Sequence, residues 1–166
     1  MHLIISLTAI FGYLFTKIYN NFNRDLSSKQ YIIFTIILIL IVGLRGVGVD
    51  NDYSTYESSI YNNLSIGEPT FLFITFIIRT LGLPNYTLFL VYAAIGISLK
   101  MRIIYKYSYL PIISFIIYLS NIIMLQDINQ IRAGVATALF LTSIPYLAQN
   151  KKKIFACIIL LATLFH

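Results

Sequence analysis

Three arginines of this chain, Arg45, Arg79 and Arg132, lie near acidic residues in an otherwise apolar sequence. A guanidinium group is planar and always charged, so it can hold a phosphate or a carboxylate by two parallel hydrogen bonds. The compact ammonium group of lysine cannot do this. An arginine at membrane depth is costly and usually faces a cavity or a partner. The three arginines are therefore candidates for a site that binds an anion.

Arg132 stands at the start of an apolar run, shortly after Asn129 and Gln130. Asn129 and Arg132 would share one face of a helix, because residues three apart are neighbours on its surface. A helix that begins here would add free N–H groups and the positive end of its dipole, and both favour anions. The simpler interpretation is an arginine that snorkels to the interface or pairs with Asp127.

Arg45 opens the segment Arg45-Gly46-Val47-Gly48-Val49-Asp50. Its glycines would let the backbone turn tightly or approach a ligand closely. A plain loop with glycine beyond the end of a helix explains them equally well. The pattern is not a dinucleotide-binding fingerprint, because no strand precedes it and the third glycine is absent.

Aromatic and acidic residues follow, with Asp52, Tyr53 and Tyr56 close together and Glu68 before Pro69. Flat tyrosine rings and carboxylates could form a platform for a sugar. Tyrosine is also common at the membrane interface, so a simple anchoring role stays open. Glu68 could equally favour the start of a helix that has proline in its first turn.

The elements that position these residues must be membrane helices. Hydrophobic residues make up 58% of the chain, charged residues 11%, and the mean hydropathy is +0.82. A soluble domain has about 45–50% apolar and about 25% charged residues. The apolar runs are continuous and approach the roughly 17–25 residues of a transmembrane helix. We predict an all-α polytopic transmembrane bundle, one membrane domain over residues 1–166, with about six spans at 3–20, 31–45, 86–100, 108–124, 132–148 and 154–166.

Basic residues predict the orientation of this bundle, because cytoplasmic loops are enriched in lysine and arginine. The groups that would lie inside are Lys17, Arg24, Lys29, Lys100, Arg102, Lys106 and Lys151–Lys153. They share one side if residues 71–83 form a short interfacial or re-entrant helix rather than a crossing. The polar loop 45–69 then lies outside, with the three arginines and five of the six acids.

Several functions are excluded or unsupported by the sequence. Cys157 is the only cysteine, so no disulfide or cysteine-metal site can form within one chain. The net charge of +6 follows from the orientation of a membrane protein, so we do not expect nucleic acid as a partner. The chain contains no metal-binding histidine motif and no P-loop. We therefore expect no metal and no cofactor.

The order of motifs resembles the EpsG-type, O-antigen-polymerase-like (Wzy-like) family of bacterial exopolysaccharide polymerases. The motifs that carry the resemblance are the run from Gly43 to Tyr56, Gly67-Glu68-Pro69-Thr70-Phe71 with Leu81-Gly82, Lys106-Tyr107-Ser108, Asn129-Gln130-Ile131-Arg132 with Ala136, Lys151–Lys153 and Leu164-Phe165-His166. In that family further spans usually follow the Phe-His pair. We therefore expect this chain to be the N-terminal part of a longer polymerase, and as such to lack part of the site.

The resemblance implies a glycosyltransferase of the bacterial cytoplasmic membrane that makes exopolysaccharide, capsule or O-antigen. Its substrate would be an oligosaccharide linked to undecaprenyl diphosphate, and transfer would occur at the outer face. The partners implied are this lipid-linked oligosaccharide, the membrane lipids and other polysaccharide assembly proteins. A small transporter or channel subunit for anionic solutes and a non-catalytic assembly component are the alternatives.

The resemblance also implies roles for the residues singled out above. Arg45, Arg79 and Arg132 would bind the diphosphate and stabilise its charge as it leaves. Asp50, Asp52 or His166 would orient or deprotonate the acceptor hydroxyl, and the sequence does not decide among the three. The residues expected to contact the sugars are Tyr53, Tyr56, Glu68, Asn129 and Gln130. Ala133-Gly134 stands where the family often has glutamine, so roles around Arg132 carry over less directly.

Overall fold

The computed structural model describes residues 28–46, 48–50, 52–62 and 67–166, and every regular element among them is helical. The predicted span at 3–20 lies outside the described residues. In chain order the elements are α1 Ser28–Gly43, α2 Tyr53–Asn62, α3 Pro69–Thr80, α4 Tyr86–Tyr107, α5 Pro111–Ile117, the π-helix Tyr118–Asn129, α6 Ile131–Ala148 and α7 Lys152–Thr163. The all-α prediction is confirmed for this part of the chain.

Two helices of the described chain, α4 with 22 residues and α6 with 18, are long and apolar enough to cross a membrane. At 1.5 Å per residue, α4 is about 33 Å long, which matches the thickness of the hydrocarbon core. The stretch from Pro111 to Asn129 is bent by 58° between Ser120 and Ile122, and it adds a third crossing if it forms one broken span. The expected number of about six spans is thus not confirmed by the described residues.

The short apolar segment at 71–83 corresponds to α3, a helix of 12 residues. Its length of about 18 Å is well short of the roughly 30 Å of the hydrocarbon core. Pro69 occupies its first turn, where proline is favoured because no N–H is needed. Phe71 and Ile78 are buried, whereas Phe73 and Phe76 on the opposite face are both 65% exposed. An apolar helix that exposes one such face and is too short to cross is typical of an interfacial or re-entrant segment.

The longest helix, α4, packs against both α1 and α6, and α6 also packs against α7. Small residues lie where the backbones of neighbouring helices come closest to one another. A Cβ atom on Gly43 of α1 would lie 2.7 Å from the Leu90 Cα atom, and one on Gly134 of α6 would lie 2.6 Å from the Gln126 carbonyl oxygen. Small residues at helix contacts are the usual device by which membrane helices come together. Together with the widely exposed apolar side chains, this packing identifies a membrane protein.

One lysine departs from the predicted grouping on the cytoplasmic side. Lys100 lies inside α4, and its Nζ atom donates to Asp127 Oδ1 at 2.8 Å and to Oδ2 at 2.9 Å. The side chains of this pair are each only 2% exposed, and the Tyr118 hydroxyl also donates to Asp127. Asp127 therefore pairs with Lys100 and not with Arg132, since a buried charge needs a nearby partner more than an interfacial one does.

The remaining described charges separate toward the two ends of the bundle. Tyr31 stacks on Tyr105 at a centroid distance of 4.6 Å, so the start of α1 lies beside the lysine-rich end of α4. The polar loop lies at the other end, where α1 ends and α6 begins. This separation agrees with the predicted topology and leads to a labelling experiment.

Cysteine labelling is expected to place the polar loop outside the cell. Ser54 and Ser28 are both exposed, near opposite ends of the bundle. In a Cys157→Ser background, needed because Cys157 is itself exposed, Ser54→Cys should react with an impermeant maleimide added to intact spheroplasts. Ser28→Cys should react only after permeabilisation. The opposite pattern would invert the topology and move the arginine cluster to the cytoplasm.

Candidate functional site

Arg45 and Asp50 form a buried unit at the end of α1. The Arg45 Nε atom donates to Asp50 Oδ2 at 2.6 Å, and the two side chains are 3% and 0% exposed. Its two terminal nitrogens donate to the carbonyl oxygens of Val42, at 3.0 Å, and Ile128, at 2.7 Å. The guanidinium also lies 4.3 Å from the ring centroid of Phe89. The donors of Arg45 therefore hold the loop to the end of the π-helix.

The same loop positions Asp52 at the start of α2. The second oxygen of Asp50 accepts a hydrogen bond from the Asp52 backbone N–H at 2.9 Å, and the Asp52 carbonyl accepts the Tyr56 N–H at 3.0 Å. The Asp52 carboxylate itself makes no hydrogen bond or ion pair with any described residue. Of the two predicted aspartates, Asp50 is thus hydrogen-bonded through both carboxylate oxygens, whereas the carboxylate of Asp52 has no hydrogen-bond partner among the described residues.

Arg132 lies in the first turn of α6 and pairs with Glu68, the residue that precedes α3. Both side chains are 21% exposed. The Nδ1 atom of His166 lies 3.7 Å from the same Glu68 oxygen. The guanidinium carbon is also 5.7 Å from the centroid of the Tyr56 ring. Four predicted site residues from distant parts of the sequence therefore meet at one point.

A cavity of about 210 Å³ opens beside this cluster. Its lining residues are Asp52, Tyr56, Gln130, Arg132, Ala133 and His166. Burial raises the pKa of the Tyr56 phenol above its ordinary value, and the hydrogen bond with Arg132 only partly offsets this. The phenol therefore stays protonated near neutral pH. The cavity combines a guanidinium, a neutral hydroxyl, an imidazole and a carboxylate.

A second cavity, of about 440 Å³, adjoins the first. It is lined by Asp52, Leu125, Gln126, Asn129 and Gln130, so Asp52 and Gln130 border both cavities. Its walls come from the last turns of the π-helix and from the loop before α2. No arginine or lysine is among these lining residues. We name the first the arginine cavity and the second the amide cavity.

Five predicted site residues line neither cavity, namely Arg45, Asp50 and Glu68, described above, and Tyr53 and Arg79. The Tyr53 ring stacks on Phe89 at a centroid distance of 4.6 Å and is 7% exposed, so the hydrophobic core covers its face. Arg79 lies at the far end of α3 and donates to the carbonyl oxygens of Ser59 and Ile60 at the end of α2. Cationic side chains commonly satisfy such helix C-terminal carbonyls.

The structure also shows features that the sequence did not indicate. Gln126 lines the amide cavity, and Ala133 lines the arginine cavity. The hydroxyl of Tyr92 and the Nε atom of Arg132 are buried without a hydrogen-bond partner of good geometry among the described residues. Nothing in the spacing distinguishes Tyr92 from the other tyrosines, which number 13. In the described part of the chain, no group of three His, Cys, Asp or Glu side chains is placed to hold a metal ion.

Comparison with known proteins gives one match. The model of the EpsG family matches residues 28–166, which include all the described helices and both cavities. No curated protein and no solved structure matches the chain.

Proposed function

Because the chain belongs to the EpsG family, we propose that it is an exopolysaccharide repeat-unit polymerase whose site is built around Arg132. In this proposal a glycan linked to undecaprenyl diphosphate is transferred to a hydroxyl of another lipid-linked repeat. The products are a longer lipid-linked glycan and free undecaprenyl diphosphate. The reaction would take place at the outer face of the cytoplasmic membrane. Repeated transfers would build the finished polymer, which is an exopolysaccharide, a capsule or an O-antigen.

The observation that carries the proposal is the place of Arg132 in the arginine cavity. Arg132 stands in the first turn of α6, where free N–H groups and the helix dipole also favour an anion. Its Nε–H has no partner among the described residues, although a guanidinium normally uses all its donors when buried. A diphosphate would supply acceptor oxygens for this donor and for the neighbouring Tyr56 hydroxyl.

Glu68 shows how an oxyanion fits this position. Its carboxylate pairs with Arg132, and carboxylate and phosphate oxygens accept the same hydrogen bonds from a guanidinium. The pair is partly exposed, so its net contribution is on the order of 1 kcal/mol or less. An incoming diphosphate can therefore displace Glu68 at small cost. The displaced carboxylate would still lie beside His166.

The cavities also lie where a lipid-linked substrate needs them. They are formed at the ends of apolar helices, so a polyprenyl chain could stay among the exposed hydrophobic side chains while its headgroup enters the polar site. Arg132 would stabilise the negative charge that develops on the leaving diphosphate, which is the usual role of a preorganised cation in group transfer. No nucleotide sugar is needed, because the diphosphate already activates the glycan.

Reconstitution tests this function directly. The protein expressed from its complete gene is placed in liposomes with lipid-linked repeat units isolated from cells that lack this gene. We expect a ladder of glycans that differ by one repeat unit and release of undecaprenyl diphosphate. The absence of a ladder, together with flux of anionic solutes into the liposomes, would instead establish a transporter. The absence of both would leave the protein a non-catalytic component of assembly.

A further inference from the structure

We propose that the amide cavity binds the acceptor sugar and that Asp52 is the base that deprotonates the acceptor hydroxyl. This inference rests on the proposed function and assigns the two cavities to the two substrates. The arginine cavity would hold the diphosphate of the donor. The amide cavity would hold a sugar of the incoming repeat.

The lining of the amide cavity favours a neutral, hydroxyl-rich ligand. Side-chain amides of Gln126, Asn129 and Gln130 both donate and accept hydrogen bonds, as sugar hydroxyls do. The Gln126 amide oxygen already accepts a hydrogen bond from the Thr137 hydroxyl at 2.9 Å, which leaves its NH₂ group as a donor. No cation lines this cavity, so it lacks what a phosphate requires. Its volume of about 440 Å³ lies within the range of roughly 300–1,000 Å³ typical of small-molecule sites.

The position of Asp52 links the two cavities. Asp52 borders both of them, so in this proposal it lies beside both the donor diphosphate and the acceptor sugar. Among described residues this carboxylate has no partner, and its oxygens are available to accept a proton. A general base must be within hydrogen-bond reach of the proton that it removes. A side chain on the boundary between donor and acceptor meets that requirement.

The two other candidate bases are less suitable. Asp50 has both oxygens bonded, one to Arg45 and one to the Asp52 N–H, and its side chain is fully buried. His166 borders only the arginine cavity, where it faces Glu68. Asp50 and Arg45 instead act as positioning residues, because their ion pair holds the backbone of Asp52.

The reaction balances without a cofactor. The acceptor hydroxyl oxygen attacks the anomeric carbon of the donor glycan and forms the new carbon–oxygen bond. The bond between that carbon and the phosphate oxygen breaks, and its electron pair leaves with undecaprenyl diphosphate, whose charge Arg132 stabilises. The hydroxyl proton passes to Asp52, which later releases it to water.

Asp52→Asn tests the catalytic part of this proposal. In the reconstituted protein we expect glycan elongation to slow by about 10²–10⁴-fold, the usual contribution of a general base. The melting temperature should be unchanged, because the Asp52 side chain bonds to no described residue. Binding of undecaprenyl diphosphate should not weaken, because the substitution removes a negative charge from the lining of the arginine cavity. Glu57→Gln is the matched control, since Glu57 lies nearby on α2, is not among the lining residues of either cavity, and accepts a hydrogen bond from Asn85 that glutamine can keep.

The outcomes separate the two proposals. No ladder from the wild-type protein overturns the proposed function and this inference with it. A ladder from the wild type and an equally fast one from Asp52→Asn overturns the inference alone.

Protection of a cysteine tests the amide cavity without relying on catalysis. In a Cys157→Ser background, Asn129→Cys is expected to react with a maleimide, and the free repeat oligosaccharide should slow this reaction. Undecaprenyl diphosphate alone should protect it less. Protection by undecaprenyl diphosphate and not by the oligosaccharide would show that the amide cavity binds the lipid headgroup, and would overturn the assignment.

Discussion

Arg132→Lys is expected to slow glycan elongation by about 10²–10³-fold in the reconstituted protein, the loss typical of removing one donor that stabilises a developing charge. Lysine keeps the positive charge but cannot donate two parallel hydrogen bonds. The expected loss of rate therefore measures the contribution of the planar guanidinium and not of electrostatic attraction alone. The affinity for undecaprenyl diphosphate should fall by a smaller factor than the rate of elongation. Part of the interaction forms only as the leaving group gains charge.

Arg102→Lys is the matched control for this substitution. Arg102 is exposed toward the lysine-rich end of α4, remote from both cavities, so its replacement should leave the rate unchanged. The rate of ladder formation is measured for both variants at saturating lipid-linked repeat. A wild-type rate for Arg132→Lys would remove the argument for bidentate binding and leave Arg132 as a simple countercharge to Glu68.

Lys100→Met is expected to destabilise the protein by about 3–5 kcal/mol, because it leaves the carboxylate of Asp127 buried without its partner. The two side chains are each 2% exposed, so water does not replace the lost ammonium. The Tyr118 hydroxyl would still donate to the carboxylate, but a neutral donor compensates only part of the charge. Thermal unfolding of the purified protein in detergent measures the effect.

The double variant Lys100→Met/Asp127→Asn separates charge burial from packing. Removing both charges should recover most of the lost stability, since replacing a whole buried pair is far less costly than breaking it. Lys106→Met is the control on the same helix, where the ammonium is exposed and lies over Tyr107. If Lys100→Met melts at the wild-type temperature, the pair contributes no stability. If the double variant melts no higher than Lys100→Met, the loss comes from packing.

The class of fold could be predicted from the sequence because long continuous apolar runs form membrane helices, whatever tertiary contacts those helices make. Three residues that the sequence singled out as site candidates also contact one another beside the arginine cavity. Glu68, Arg132 and His166 are far apart in sequence, yet each directly precedes, begins or follows an apolar run. Since such runs become helices, their ends collect at one side of the bundle. The motif order of the family gave the same residues.

The partners of the individual charges could not be predicted in this way. A rule that counts lysines near helix ends places Lys100 in the cytoplasm, but it takes no account of Asp127, which lies 27 residues further on. Arg45 was a candidate for binding the diphosphate and Asp50 a candidate base, but the two form an ion pair with one another. Tyr53 is covered by Phe89, a contact that depends on how α2 packs against α4. These features follow from tertiary packing, which residue spacing alone does not specify.

We expect the pairing of Arg132 with Glu68 to make the proposed site selective among anions. Glu68 is part of the same chain, so it competes for Arg132 whatever the surrounding solution contains. A chloride or acetate ion offers one weak contact and must outcompete this tethered carboxylate. A diphosphate offers several oxygens at once and is concentrated at the membrane by its lipid. We therefore expect simple salts at physiological concentrations to leave the site closed, and lipid-linked diphosphates to open it.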